Sequence, residues 1–460
     1  MRIIVEIKEL INKQRKFYSS NISKDLKFRI QNLKLLRSII IKYEKEIQEA
    51  LRLDLGKSET EAYMTEIGMV LDEIKYNIKH LAKWAKKKYV STPLSQFPAR
   101  SYRIPEPRGL VLIISPWNYP FLLSIQPLIG AIAAGNCVII KPSEYSVNTS
   151  KILKKILTEI YSEAYVTVVL GEKEVAQELL KEKFDYIFYT GSTKIGKIVM
   201  EAAAKNLTPV TLELGGKSPC IVDEKCNVEL AAKRIAYGKI LNSGQTCVAP
   251  DYVFVHQNVK EQFLNCLIKY LNNFLGENAL NNSDYPKIIN EMQFNRIISL
   301  IDKEHVIYGG GYNRNILKIE PTILTIKDMT SKVMQEEIFG PILPIIGYNN
   351  LDYIINYINI NPKPLALYLF TNNKKIEKRI LKEVSYGGGC INDTIIHLAN
   401  KRLGFGGVGN SGIGEYHGKF SFDTFSHYKS IIKKSNHIDL PVRYHPYSKM
   451  KEKLIRMFMK

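Results

Sequence analysis

A chain of 460 residues, 45% hydrophobic and 24% charged, is too long for one simple core and has the ordinary composition of a globular protein with two or three lobes. Its formal net charge is +20, but the lysines are dispersed and no stacking module or recognition motif accompanies them. A solvated basic surface is the first reading, a field that steers an anionic ligand the second, and a dedicated nucleic-acid site is set aside. In chain order, Leu26, Ile30, Leu33, Leu36, Ile40 and Tyr43 form one helical stripe within 26–50. A second stripe runs through Ile67, Leu71, Ile74, Ile78 and Leu81. Ser91 to Pro107 carries Pro93, Pro98, Pro105 and Pro107, which suits a linker or an extended arm. Strand 109–115, a helix ending near Gly135 and strand 137–140 follow. Helix 149–162, strand 165–170, helix 173–182, strand 185–190 and helix 194–206 continue the alternation, which predicts βαβ units and a parallel sheet. Strands 210–214 and 219–222, helix 228–241, strand 252–256, helix 258–275, strand 342–347, helix 350–359, strand 365–370 and helix 373–384 predict a second α/β lobe, and Gly387-Gly388-Gly389 breaks the pattern. Met450 to Lys460 reads as a short basic helix with Met450, Leu454 and Phe458 on one face, suited to docking on a partner subunit or to weak contact with a membrane surface.

No stretch approaches the ~18 uninterrupted apolar residues of a membrane span. The start, Met1 to Lys8, is too charged for a secretory signal, and a cytoplasmic protein without a transmembrane anchor is expected. Cys137, Cys220, Cys226, Cys266 and Cys390 read as small buried hydrophobes rather than a disulfide framework. No CxxC or HExxH spacing occurs, so no metal is expected.

Cys247 differs from the other cysteines. It lies in Asn242-Ser243-Gly244-Gln245-Thr246-Cys247-Val248-Ala249-Pro250, a loop rich in small and polar residues. Glu213 lies upstream in Leu212-Glu213-Leu214-Gly215-Gly216, at a glycine-flanked strand end. This pairing suits thioester chemistry, in which the sulfur attacks a carbonyl and the carboxylate activates the water that frees the product. A helix N-terminus or a nearby cation would lower the thiol pKa, and burial between Leu212 and Leu214 would raise that of the carboxyl. Gly191-Ser192-Thr193 with Gly196, between a strand and a helix, offers backbone N–H groups to a pyrophosphate without the GxGxxG fingerprint.

Seven runs occur in order along the chain: Pro116-Trp117-Asn118-Tyr119-Pro120, Lys141-Pro142-Ser143-Glu144, Thr190 to Gly196, the Glu213 run, the Cys247 run, Glu336-Glu337-Ile338-Phe339-Gly340-Pro341 and Gly404 to Gly412. Together they closely resemble the aldehyde dehydrogenase superfamily. Val248 to Tyr252, and Gly414 to Lys419 leading into Ser421 to His427, are similar to its class 3 or fatty-aldehyde branch. The resemblance implies an α/β fold of two open-sheet lobes with a small bridging element. On it, 1–90 with 108–209 is the cofactor-binding domain, 210–425 the catalytic domain, and 91–107 with 426–460 the arm and tail of oligomerisation. It implies oxidation of an aldehyde substrate to a carboxylic acid by a homodimer with NAD or NADP. Cys247 would be the nucleophile, Glu213 the general base and Asn118 the oxyanion donor. Lys141 and Glu144 resemble the adenosine ribose contacts, and Glu337 and Phe339 those of the nicotinamide ribose and ring, with Glu337 assisting as a second base. Fatty-aldehyde relatives carry a tail helix over the substrate entrance, and some continue into a membrane anchor. For His417, packing or a subunit contact is the expected role; His397 suits either the substrate mouth or a satisfied core position.

Two other reactions fit the same pattern, transfer of the acyl group to CoA and reduction of an acyl phosphate. Glu213 argues against the first, since CoA acceptance needs no such base. A basic polyanion-binding scaffold is the non-enzymatic alternative and predicts salt-sensitive binding.

Overall fold

The computed structural model describes residues 2–459, with side chains from Val5 onward. Three larger sheets organise the described residues, beside a two-stranded ribbon of Tyr312–Asn313 with Lys318–Ile319. The first has the spatial order Gly412–Ile413, Val210–Glu213, Tyr186–Thr190, Leu110–Ile114, Cys137–Lys141, Val166–Val168. Its strands are parallel apart from Gly412–Ile413. From Leu110–Ile114 the chain builds outward through Cys137–Lys141 to Val166–Val168, then returns to the other side with Tyr186–Thr190. The strand order therefore reverses between Leu110–Ile114 and Tyr186–Thr190, and open α/β sheets bind ligands at the carboxyl ends of such a pair.

The second sheet runs Val306–Tyr308, Thr322–Thr325, Ile342–Tyr348, Tyr252–His256, Pro219–Val222, Ala366–Phe370, Gly388–Ile391. Its strands are parallel except for Val306–Tyr308. Nearly every side chain of the central strands is buried, so they read as continuous apolar runs, as expected where both faces are covered. The third sheet is antiparallel and joins Lys88–Val90, Ala99–Pro107 and Ser426–Lys434, the last two paired over nine residues. The proline-rich segment is thus an extended arm rather than a linker; Pro93 and Pro98 lie outside its strands, and Pro105 and Pro107 fall beyond the stretch paired with Lys88–Val90, where the side away from Ser426–Lys434 needs no ladder donor.

Helix Leu122–Ala134 is buried at all thirteen positions. It lies against Leu26–Lys42, Gly68–Trp84 and Gly418–Thr424. A helix apolar on every face has to be central, and this one fixes the loop Pro116–Phe121 that precedes it.

The structure departs from the sequence reading at four places. The 26–50 stripe is two helices, Leu26–Lys42 and Glu44–Leu55, because Tyr43 leaves helical geometry at φ −104°. Arg2–Ser19 is a helix that the charged start concealed; its buried positions Ile7, Ile11 and Gln14 keep helical spacing. Val210–Glu213, expected to open the second lobe, pairs with Tyr186–Thr190 in the first sheet. Finally, Gly387–Gly389 does not end the pattern. Gly388–Ile391 is the edge strand of the second sheet, parallel to Ala366–Phe370. A Cβ on Gly389 would stand 2.0 Å from the Leu367 carbonyl oxygen, so glycine permits the close approach.

Candidate active site

A cavity of about 330 Å³ opens at the reversal point of the first sheet. Pro116, Trp117 and Asn118, after strand Leu110–Ile114, form one wall; Thr190, Gly191 and Ser192, after Tyr186–Thr190, form the opposite one. Glu213 and Leu214 come from the neighbouring strand end, Cys247 from the loop, and Glu337 and Phe339 from the second lobe's side. Strands far apart in the chain thus deliver the thiol, both carboxyls and the amide to one space. An adjoining cavity of about 500 Å³ shares Gly215, Glu336 and Glu337 with it.

The Cys247 loop is held in an unusual backbone. Asn242, Ser243 and Gly244 all have positive φ, at 51°, 52° and 73°. Two consecutive non-glycine residues in that region carry strain that the surroundings must hold. They do so by hydrogen bonds. Asn242 Nδ2 donates to the carbonyls of Asn118 (2.8 Å) and Gln245 (3.1 Å). Gln245 Nε2 donates to the Asn242 and Lys287 carbonyls, both at 3.0 Å, while its Oε1 accepts from the Ile289 N–H at 3.0 Å. Thr246 Oγ1 pairs with Tyr119 Oη at 2.7 Å, and Tyr368 Oη donates to the Val248 carbonyl at 2.6 Å. Cys247 keeps part of its surface open to the cavity.

The electrostatics differ from the expectation for the thiol. No cation or helix N-terminus lowers its pKa. Burial first, then the neighbouring Glu337 and Glu213 carboxyls, push it up to about 12. The thiol therefore rests protonated, and its proton needs an acceptor. Glu213 is 3% exposed, neither carboxyl oxygen has a hydrogen-bond partner, and burial, helped by Glu415, raises its pKa well above the usual carboxylate range. Glu337 is raised to about 8 by burial and then by Asp251, against the opposing Gly216 N–H, Lys217 and Arg296. Glu337 is thereby brought near the pH range in which proton transfer is efficient, and Glu213 is shifted in the same direction. Gly215 makes room for Glu337, since a Cβ there would lie 2.1 Å from its Oε2.

Asn118 is buried, and its Nδ2 donates to the Gln245 carbonyl at 3.0 Å. The amide therefore lies beside the loop that carries Cys247 and keeps a second N–H. Phe339, at φ 49°, meets Trp117 edge to face with ring centroids 5.3 Å apart. Ser192 caps helix Thr193–Ala204, its Oγ accepting from the Ile195 N–H at 3.4 Å.

Three expected cofactor residues lie outside the cavity lining. Lys141 is buried at the end of its strand, with Nζ 2.9 Å from the Pro142 carbonyl and 3.0 Å from Glu144 Oε2, so Lys141 and Glu144 bond to each other. Gly196 faces Leu214, whose Cδ2 would be 2.6 Å from an added Cβ; its contribution is close helix-to-strand packing. His417 is buried, stacked on Phe405 at 5.3 Å, and its pKa is lowered to about 3 by burial, which is a packing role. Cys390 Sγ and His397 Nδ1 stand 3.6 Å apart, and burial lowers the His397 pKa to about 4.

Other lining residues escaped the sequence reading. Arg296 donates to the Ile338 (2.7 Å) and Glu337 (3.3 Å) carbonyls, and Gln293 lies on the same helix, Glu291–Ile298. Lys217 pairs with Asp251 and donates to the Val333 and Glu336 carbonyls at 2.9 Å, while Asp251 Oδ1 accepts the Ile338 N–H at 2.9 Å. Together they pin the Glu336–Phe339 run. Among the described residues, no group of three or more His, Cys, Asp or Glu could hold a metal ion, and no helix is long and apolar enough to cross a membrane.

The sequence pattern of the Aldehyde dehydrogenase family matches residues 5–431. The chain is 50% identical over 446 residues to 4,4'-diaponeurosporen-aldehyde dehydrogenase of Staphylococcus aureus, covering 96% of this chain and 97% of that one. It is 48% identical over 429 residues to the "Aldehyde dehydrogenase, dimeric NADP-preferring" of Mus musculus, covering 93% and 95%. Among solved structures, Staphylococcus aureus AldH in a substrate-bound state superposes with a TM-score of 0.97 at 49% identity, covering 99% of both chains. An NAD+ complex of an aldehyde dehydrogenase from Bacillus cereus superposes with a TM-score of 0.85 at 26% identity, covering 94% and 89%.

Proposed function

Since the chain belongs to the aldehyde dehydrogenase family and carries its NAD(P)-dependent aldehyde oxidation, we propose that the reaction proceeds through a Cys247 thioester that water cleaves. The observation that carries this reading is Glu213, a buried carboxyl with neither oxygen partnered, lining the same cavity as the thiol. A buried polar group without a partner costs stability, and a base waiting for a water molecule accounts for that cost.

In this mechanism Glu337, once deprotonated, takes the Cys247 proton as the sulfur adds to the aldehyde carbonyl, which leaves Glu213 free to act on water. The second N–H of the Asn118 amide, with the Cys247 backbone N–H, holds the resulting oxyanion. NAD or NADP, when bound, supplies the acceptor for the hydride. Glu213 then withdraws a proton from water, the hydroxide attacks the thioester carbon, and the carboxylate leaves with the sulfur restored as thiol. The cavity fits such a dinucleotide in three ways. It lies at the reversal point of the sheet, Ser192 caps a helix at its wall, and Thr190 Oγ1 and Glu337 Oε1 are buried without partners. We assign Gly191, Ser192, Glu337 and Phe339 to holding it. Lys141 and Glu144 remain proposed ribose contacts from the neighbouring strand end, and Gly196 acts by packing.

We further propose the first sheet with its helices as the cofactor lobe, the second as the catalytic lobe, and the third, with the tail, as the dimer element. The open edges of the third sheet, with Tyr89, Val90 and Ile432 about half exposed, support a homodimer, as does the relative named dimeric. Six free cysteines support a reducing compartment, the cytoplasm. The tail helix Lys449–Phe458 leaves Met450 and Met457 exposed beside lysines, which supports weak contact with an anionic membrane surface.

Kinetics with NAD and NADP over short aliphatic, long aliphatic and aromatic aldehydes, with 4,4'-diaponeurosporen-aldehyde as one arm, define the substrate. NADH formation with and without CoA tests the hydrolytic route. Unchanged rates and a free acid product are expected, and a CoA thioester product would overturn the role given to Glu213.

A further inference from the structure

Outside the cavity lining, Lys57 and Glu66 form a fully buried ion pair, Nζ to Oε1 2.5 Å, with both side chains 0% exposed. Such a pair is expensive to desolvate. Replacing one with apolar groups is often neutral or stabilising, so stability alone does not explain it. Its connections point elsewhere. The other Glu66 oxygen accepts the N–H groups of Phe121 (2.9 Å) and Leu122 (3.1 Å), at the start of helix Leu122–Ala134. The Lys57 ammonium sits 3.9 Å from the Tyr119 ring centroid and 3.3 Å from the Asn118 carbonyl oxygen. That same oxygen accepts from Asn242 Nδ2, and the Asn242 N–H goes to Glu61 Oε1 at 2.8 Å. Three segments meet here: residues 57–66, the Pro116–Phe121 loop, and the strained loop that ends at Cys247.

We propose that Lys57 and Glu66 are positioning residues for the oxyanion donor. Glu66 fixes the end of the Pro116–Phe121 loop from below, and Lys57 fixes the Asn118 peptide. The amide of Asn118, itself bonded to the Gln245 carbonyl at 3.0 Å, then projects from a fixed peptide toward the space beside the sulfur. Pre-set donors stabilise a developing oxyanion because they do not reorganise during the reaction. Small misplacements are costly, about 100-fold in rate for ~1 Å. Neither residue touches the aldehyde. The inference rests on the reading of Asn118 as oxyanion donor.

The test compares Lys57→Met, the double variant Lys57→Met/Glu66→Gln, Asn118→Ala, and Asn118→Ala combined with Lys57→Met. The double variant removes both charges while Gln keeps an acceptor for the Phe121 and Leu122 N–H groups, so it covers the case in which an unpaired Glu66 prevents folding. Lys57→Met, or the double variant in its place, is expected to lower kcat about tenfold or more, with the aldehyde KM and the NADH Kd within about threefold. In the Asn118→Ala background the same change is expected to cost nothing further, because the group it acts through is gone. A full kcat in Lys57→Met, an equal loss in both backgrounds, or failure of both single and double variants to fold overturns the proposal and leaves the Asn118 reading standing. Full activity in Asn118→Ala overturns that reading, and the positioning role with it.

Discussion

Glu213 and Cys247 line one cavity, and the proposed mechanism gives them two separate chemical steps. Glu213→Gln keeps the size and an acceptor oxygen but removes the base. It is expected to give a burst of NADH close to one per active site, followed by turnover slowed about 10²–10⁴-fold, as for loss of a general base. Rapid-mixing absorbance at the NADH band reads both phases; steady turnover at the native rate would show that water is activated elsewhere. Cys247→Ala is expected to abolish both burst and turnover for every aldehyde while NADH titration stays normal, and any retained oxidation ends the covalent mechanism. Both stood out in the sequence as candidates, Cys247 in a loop of small and polar residues and Glu213 at a strand end followed by two glycines. Lys57, Arg296 and Gln293 did not. Their surroundings in the chain are ordinary helical or polar runs; Lys57 meets the Asn118 carbonyl, Arg296 the Glu337 run, and Gln293 accepts from Arg296 at the cavity wall, places that only the fold brings together.

At the scale of elements, the long apolar strands and the helices between them were readable because burial on both faces leaves unbroken apolar runs. The short or glycine-rich pieces were not. Gly388–Ile391 carries no side-chain alternation at its start, so nothing in the string marks it as a strand; its evidence is spatial, a backbone seated against Leu367. Gly389→Ala would push a methyl into that carbonyl. We expect it to destabilise the second sheet's edge by about 1–3 kcal/mol, the range for overpacking, measurable as a lower urea midpoint with unchanged kcat in the folded fraction. An unchanged midpoint would mean that the edge strand is free to move away. Likewise, the strand Val210–Glu213 looked like the start of a new lobe because the helix before it ends cleanly. Its pairing with Tyr186–Thr190 sets Glu213 at the first sheet's carboxyl edge, beside Thr190 and opposite the Cys247 loop.

For the whole molecule, the buried carboxyls impose a pH signature on stability. The unfolded carboxyl ordinarily titrates near 4.5, whereas Glu61 in the fold is raised to about 7, Glu337 to about 8, and Glu213 well above the usual range. Between these values the folded chain holds more protons than the unfolded one. Unfolding free energy therefore falls as pH rises through that window, and the contribution present below about 4.5 is lost above the folded values. Below the ordinary histidine value of 6.5 the depressed His397 and His417 act in the opposite sense, and above about 8 the depressed Lys239 does, so thermal melts from pH 6.5 to 8 should show a declining midpoint, and Glu213→Gln should flatten the decline. The same deprotonations free the bases, so turnover is expected to climb over the range in which the fold weakens. A midpoint that rises with pH would mean the carboxyls are already ionised in the folded chain.

The arm sheet has a consequence for how the protein is made. Ala99–Pro107 pairs with Ser426–Lys434, and Val210–Glu213 is edged by Gly412–Ile413, so both early strands wait for partners translated much later in the chain. On the ribosome each presents an unpaired border for a long stretch of synthesis, the circumstance in which nascent chains stick to one another or call on chaperones. A transcript that terminates prematurely around residue 410 would release a chain with its catalytic residues already translated but the Glu213 strand unflanked and the arm unmatched. A chain cut there is expected to show no turnover, which a comparison with the full chain would check.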